Sequence, residues 1–313
     1  MRSIESVILP YGKNLDGVVI RHRGEIVSEW YFHGNGPQDA HHVASVTKSV
    51  VSALVGIAID AGYIQSLDQR VLDFFPEYHA EPTDFLKRSV TIRQLLTMTA
   101  PFPFSWRETH KQSHEPLDRL RRQKDWVTYI LQMMGGDGHG GEFQYCTAGT
   151  HLLSAILTRT TGKSAREFAN ERLFGPLGMR VLPDYEMRSG SIEDVFGGKI
   201  QGWAKDPAGN SIGGWGLTMT FRDMARFGAL YLNKGMWEGK RILPESWVRE
   251  STTPSVNEYG YLWWLKEIEG HFTFSALGSG GYAINCIPDK NLVIALKLVP
   301  GTKTIIPAIM ECY

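Results

Sequence analysis

Cysteine is scarce in this chain. Cys146, Cys286 and Cys312 stand far apart among 313 residues, and none forms a C-x-x-C pair. Neither a disulfide framework nor a cysteine zinc site is indicated. A charge excess is missing too, with 33 acidic and 33 basic residues. Zero formal net charge gives no electrostatic reason to expect nucleic acid or an anionic membrane as partner. No apolar run is long enough to span a bilayer. The opening MRSIESVILPYGK lacks the long apolar core of a signal peptide, so a cytoplasmic location is the default expectation. Internal repeats, low-complexity tracts and linkers are absent. So is the G-x-S-x-G elbow, which counts against an α/β-hydrolase. His110 and His114 are four apart but sit in a polar stretch without H-E-x-x-H around them, and no metal or cofactor is expected.

Hydrophobic residues make up 42% of the chain, enough for a substantial core in one large domain or two interleaved ones. The segments GVVIRHRG and EIVSEWYF read as a hairpin that turns at His22 to Gly24. Helical spacing runs through TIRQLLTMTA, DWVTYILQMM, GTHLLSAILTRTTG and SAREFANERLF, and again through TMTFRDMARFGALYLNKG. Thr220 and Asp223 resemble a capping box at the start of that last helix. The end of the chain is β again, in YGYLWWLKEI, HFTFSALGS, GYAINCI and NLVIALKLV, with PDKN as a turn. This order predicts an α+β fold. One antiparallel sheet is built from residues 1–80 and 200–313 and flanked by helices, and a mainly helical region, 81–199, is inserted between them.

One helix stands out. From Val50 to Ile59 it carries no charge, and its apolar residues do not keep to one stripe, which marks a buried helix. Ser45 is placed to cap it, and Gly62 suits the left-handed turn just past its end. Lys48 lies in the first turn, where burial and the positive end of the helix dipole both lower a lysine's pKa. A spacing of three puts Ser45 and Lys48 on the same face. A desolvated lysine can take the proton that a serine must lose to become a nucleophile. The motif alone is weak, since roughly one chance S-x-x-K is expected in such a chain. The plain alternative is a capped surface helix with a solvated lysine.

Two further stretches complete a constellation. In GEFQYCTAGTHLL, Tyr145 precedes a helix starting near Thr147, where its phenol can relay a proton; otherwise it simply packs at a rim. In SALGSGGYAINCIP, Gly278, Gly280 and Gly281 interrupt a strand, as close approach to the backbone would require. A strand N–H there, with that of Ser45, can form an oxyanion hole; a bulge is the alternative. Trp106 is the favoured pocket wall among the tryptophans. His41 and His42 are read as packing or rim residues, Trp215 as core, and at least one of Trp263 and Trp264 as buried.

S-x-x-K, then Tyr-x-Thr, then a glycine-bearing edge strand, in this order, resembles the serine β-lactamase and penicillin-binding-protein superfamily. Within it the chain is similar to class C β-lactamase-related esterases and amidases. GEFQYCTAGT is especially like the tyrosine motif of 6-aminohexanoate-dimer hydrolases. The resemblance runs over nearly the whole chain, including GIAIDAGYIQSLDQRVLDFFPEY and GGWGLTMTFRDMARFGALYLNKG. It implies Ser45 as acylated nucleophile, Lys48 as general base and Tyr145 as proton relay. It also implies oxyanion donors at the N–H groups of Ser45 and Ser279, and substrate contacts at Thr147, Gly278 and Gly280. Two departures matter. Ala276 stands where β-lactamases and D,D-peptidases carry Lys or His, and Thr147 replaces the asparagine of the tyrosine motif. Both favour a small-molecule ester or amide substrate over a β-lactam. A true β-lactamase or D,D-peptidase, and a non-catalytic binding or sensor protein of the same fold, are the two rival readings. The oligomeric state is not legible.

Overall fold

The computed structural model describes residues 2–103, 119–136, 140–189, 191 and 200–313. Its frame is a six-stranded antiparallel sheet drawn from both ends of the chain. The N-terminal part supplies β1 (Leu15–His22) and β2 (Glu25–Tyr31). The C-terminal part supplies β3 (Trp264–Ile268), β4 (His271–Gly278), β5 (Tyr282–Ile287) and β6 (Leu292–Leu298). The order across the sheet is β2-β1-β6-β5-β4-β3. The β1–β2 turn falls at Arg23 and Gly24, both at positive φ, as the hairpin reading expects.

Period-two alternation divides the sheet between two cores. From β1, Val18 and Ile20 face one side while Val19 faces the other. From β6, Leu292, Ile294 and Leu296 join the first side, and Val293 and Ala295 the second. The first side is covered by the short helices Ile4–Ile8 and Ile306–Met310 near the two ends of the chain. The second side carries the long helices. They are α1 (Val46–Asp60), α2 (Trp126–Met133), α3 (Thr147–Thr161) and α4 (Phe221–Leu232). α4 lies on β1, β5 and β6, and α1 packs between the sheet and α3.

Local chemistry accounts for most element ends. α1 is buried from Val46 to Ala58 on all sides, and Gly62 beyond it takes φ +77°. Thr220 caps α4 by accepting from the Asp223 N–H at 3.0 Å. Asp223 does not return the bond, as the longer Glu of a full capping box does; its carboxylate accepts from Arg226 at 2.9 Å. YGYLWWLKEI becomes a strand only from Trp264, because Tyr259 to Trp263 forms a turn in which Leu262 has positive φ. Trp263 is buried and Trp264 half-buried. Among the described residues no helix is long and apolar enough to cross a membrane.

The contact between α4 and the sheet depends on one missing side chain. A Cβ at Gly228 would sit 2.7 Å from Val293 and 2.8 Å from Ile284. In an exposed helix, Gly→Ala stabilises by about 1 kcal/mol. At Gly228 the sign reverses: Gly228→Ala is expected to destabilise by about 1–3 kcal/mol through overpacking. Urea denaturation of the variant checks this, and an unchanged or higher midpoint contradicts it.

Candidate active site

α1 begins at an unusual turn. Ala44 has φ +47°, a left-handed conformation that costs a β-carbon-bearing residue about 1–3 kcal/mol and is kept only where the surroundings impose it. They do so here. The Val43 N–H donates to the Leu217 carbonyl at 3.0 Å, and the Thr47 hydroxyl donates to the Ala44 carbonyl at 2.7 Å. Ser45 sits at the cap position but does not cap, contrary to the sequence expectation. Its backbone is already helical, and its hydroxyl points to Lys48 Nζ, 2.9 Å away.

Lys48 is 1% exposed. Its amine donates to the Gly214 carbonyl at 2.8 Å and lies 5.0 Å from the centre of the Tyr145 ring. Burial pushes its pKa down from the ordinary 10.5 to about 7. Tyr145, just before α3, is also buried, and its phenol is pushed up to about 12 by desolvation, against the opposing effect of its hydrogen bond with Ser45. One group is therefore poised to accept a proton near neutral pH while its neighbour keeps one. Such divergence between adjacent groups marks acid–base pairs. Cys146, between Tyr145 and Thr147, caps α3 through its sulfur, and burial raises its thiol to about 11.

Ser45 and Tyr145 open onto a cavity of about 1080 Å³. Ser45, Tyr145, Thr147, Gly278 and Ser279 all line it, so the three motifs meet. No hydrogen-bond partner for the N–H of Ser45 or of Ser279 occurs among the described residues, which leaves two donors available to a ligand oxygen. The strand of the third motif is not at the sheet edge, as expected from sequence, but one place inside it. β3 pairs with β4 only from His271 to Ser275, so Ala276 to Gly278 runs on with its outer edge free beside the cavity. The glycines of this motif are required by the chain itself. A Cβ at Gly278 would meet the Val43 carbonyl at 2.3 Å, and Gly280 and Gly281 make the turn into β5 at φ +86° and +89°. Gly280 is not among the described lining residues.

Trp106, His110 and His114 lie outside the described residues. The aromatic wall that is described comes from Phe143, Trp215, Tyr259 and Trp264, with Tyr145 stacked on Trp264 at 5.5 Å. Trp215 is buried as expected but also faces the cavity. His41 is half-buried against Phe221, and His42 Nε2 accepts from the Gly216 N–H at 2.9 Å. Sequence reasoning missed the Gly214 carbonyl and the contribution of Asn257, Glu258 and Tyr259, which come from a loop without any periodic signal. Among the described residues no group of three or more His, Cys, Asp or Glu could hold a metal.

A family model described as Beta-lactamase matches residues 12–298. A 6-aminohexanoate-dimer hydrolase from Paenarthrobacter ureafaciens is 30% identical over 243 residues, 74% of this chain and 56% of its own. A D-aminopeptidase from Cereibacter sphaeroides is 28% identical over 173 residues, 53% of this chain and 32% of its own. The chain thus spans about half or less of the length of these curated relatives. Among solved structures, a penicillin-binding protein from Bacillus halodurans superposes with TM-score 0.71 at 18% identity, over 100% of both chains. One from Bacillus anthracis, assigned as a 6-aminohexanoate-dimer hydrolase, superposes with TM-score 0.75 at 24% identity, over 99% of this chain and 80% of its own.

The buried lysine has a measurable effect on stability. In the unfolded chain Lys48 holds its proton up to about pH 10.5; in the folded chain it holds it only up to about 7. Folding therefore releases a proton in that window, and stability falls as pH drops from 10.5 to 7, after which the cost is constant. At about 1.4 kcal/mol per pH unit the full cost is on the order of 5 kcal/mol. Lys48→Met should be more resistant to urea than wild type at about pH 6, with the advantage fading by about pH 10. The same difference at both pH values would contradict a depressed pKa.

Proposed function

The chain belongs to the beta-lactamase family, and from that premise we propose that it is a serine hydrolase that cleaves a carboxylic ester or amide through an acyl-Ser45 intermediate. The observation that carries this reading is the 2.9 Å contact between the Ser45 hydroxyl and a buried, proton-poor Lys48 amine. The names of the two curated relatives, a dimer hydrolase and an aminopeptidase, support amide chemistry.

The steps follow from the geometry. Ser45 Oγ attacks the substrate carbonyl carbon as its proton passes to Lys48 Nζ. The carbonyl oxygen becomes an oxyanion and accepts from the N–H groups of Ser45 and Ser279. The dipole of α1, whose N-terminus faces this point, favours the negative charge. Collapse breaks the bond to the leaving alcohol or amine. That group takes up a proton from the Lys48 ammonium by way of the Tyr145 phenol, which bonds Ser45 and lies beside Lys48. Water then attacks the acyl carbon, giving its proton to Lys48. Ser45 is released, recovers a proton, and the carboxylic acid departs.

The cavity wall supports a substrate without a carboxylate next to the scissile bond. Among the described residues its lining includes Glu142 and Glu258 and no arginine or lysine. Ala276, where the β-lactamases and D,D-peptidases carry Lys or His, offers no positive charge and is 1% exposed. Along the described wall an anionic β-lactam therefore meets like charge and no cation. An uncharged or amine-bearing acyl group does not.

The decisive test is intact mass after exposure to a fluorophosphonate, alongside turnover of a short-chain p-nitrophenyl ester. Wild type should gain one adduct and hydrolyse the ester, and Ser45→Ala should do neither. An unlabelled, inert wild type moves a binding role to the front, and rapid nitrocefin hydrolysis favours a β-lactamase. For the pH dependence, ester hydrolysis should rise with pH to a plateau with a midpoint near the Lys48 value of about 7. The Tyr145 phenol keeps its proton throughout that range. A rate that stays flat down to about pH 5 would rule out neutral lysine as the base.

A further inference from the structure

We propose that the buried His151–Asp206 pair is a positioning device for the Lys48 base, holding the Gly213–Gly214 segment so that the Gly214 carbonyl stays on the Lys48 amine. The inference rests on the reading of Lys48 as the general base.

His151 lies in the second turn of α3, and neither its side chain nor that of Asp206 has any exposure. Its Nε2 is 3.0 Å from Asp206 Oδ2, and its Nδ1 accepts from the Gly213 N–H at 3.3 Å. A backbone N–H can only donate, so the lone pair must sit on Nδ1 and the proton on Nε2, facing the carboxylate. Asp206 is itself fixed, accepting from the Asn210 N–H at 2.8 Å and from Asn210 Nδ2 at 3.0 Å. Burial works to raise its pKa, but the bonds from His151 and Asn210 outweigh it and keep the carboxylate ionised. One residue beyond Gly213, the Gly214 carbonyl accepts from Lys48 Nζ. The chain of contacts therefore runs from carboxylate to imidazole to the Gly213–Gly214 backbone, and from that backbone to the amine.

This His–Asp pair is not part of a serine triad. Its second ring nitrogen is occupied by Gly213, and Lys48 holds the Ser45 hydroxyl. Its effect reaches Ser45 through backbone. The segment lies flat on α3, since a Cβ at Gly213 would stand 2.2 Å from the Thr150 carbonyl. Ser154 Oγ donating to Ser211 O at 2.6 Å, and Trp203 Nε1 to Ile212 O at 2.9 Å, pin its approach. At Gly213 and Gly214 that pinning passes to His151. A neutral amine has two N–H bonds and one lone pair. With one N–H fixed on Gly214, the lone pair can be aimed at the Ser45 hydroxyl, and the ammonium that forms keeps its acceptor. Among the described residues the titratable groups facing Lys48 are Tyr145 and Cys146, and Asp206 faces His151.

Two substitutions separate positioning from simple core filling. Asn at 151 keeps an acceptor where Nδ1 meets Gly213 but loses the donor to Asp206. Gln keeps a donor toward Asp206 but loses the acceptor. Gln fills more space and leaves no buried carboxylate without its partner, so a merely structural role makes His151→Gln the better-tolerated change. Positioning makes it the worse one. The Lys48 amine is titrated by NMR of protein carrying 13C at lysine Cε, with Lys48→Met identifying its signal. Fluorophosphonate labelling rates and melting temperatures are measured on the same samples. His151→Gln should lower the labelling rate about 10- to 100-fold and move the Lys48 titration down by about one pH unit, because the ammonium loses its fixed acceptor. His151→Asn should stay within about fivefold in rate, with its titration near wild type, even if it melts lower. An unmoved titration in both variants, with rates that follow melting temperature, overturns the proposal. If neither folds, 15N NMR of the wild-type His151 ring reads the tautomer directly: a bare Nδ1 with the proton on Nε2 supports the proposal, and a proton on Nδ1, which could not accept from Gly213, overturns it. A wild type that escapes labelling while its titration responds as described would sink the hydrolase reading and leave the positioning role standing.

Discussion

The burial of one amine governs everything around it. Among the described residues no carboxylate touches the enclosed Lys48, and that omission matters as much as the enclosure. An acidic neighbour would restore the positive charge and turn the residue into half of an ion pair. What surrounds it instead are weaker partners: one hydroxyl, one peptide carbonyl and the face of a phenol. They satisfy the amine's hydrogen-bonding capacity without compensating a full charge. The charge-free stretch of α1 from Val50 to Ile59, the flat glycine segment and the packing of α1 against α3 are all conditions for that environment.

The other half of the site works by leaving backbone unpaired. Sheets tend to satisfy every N–H, yet β4 runs three residues beyond its partner β3. At the same level α1 begins with an amide that no other described residue takes up, set there by the strained Ala44. Two elements far apart in the chain thus end at one cavity with donors to spare. The short stretch from Val43 to Ser45 touches both, since the Val43 carbonyl sits where a Gly278 side chain would be. The glycine of the third motif is therefore a condition for bringing nucleophile and strand together. The ligand need not come closer to the backbone there than elsewhere.

Much of this was legible beforehand, for identifiable reasons. The buried helix, the hairpin at Arg23–Gly24 and the strands of the C-terminal part follow from periodicity and turn chemistry, which are local. The S-x-x-K and tyrosine motifs were found because spacing along a helix, or at its start, carries over directly into space. The readings that changed depended on neighbours. Ser45 looked like a cap because serine at that position usually is one, but a lysine one turn on competes for its hydroxyl and wins. The glycine-bearing strand looked like an edge because pairing order cannot be read from one strand. His151 gave no signal: a histidine within an apolar helix and an aspartate in a turn 55 residues away share no pattern until the fold joins them.

By itself the sequence determined which helix had to be buried, that a lysine would be buried with it, and which residue types accompany that lysine in order along the chain. Only the tertiary structure decided what the lysine touches, which amides remain free, and that a histidine and an aspartate stand behind the carbonyl that holds it. The division has a physical cause. Hydrophobic periodicity and capping act within a few residues and leave a trace in composition. Hydrogen-bond partnership and desolvation depend on atoms brought together from anywhere in the chain.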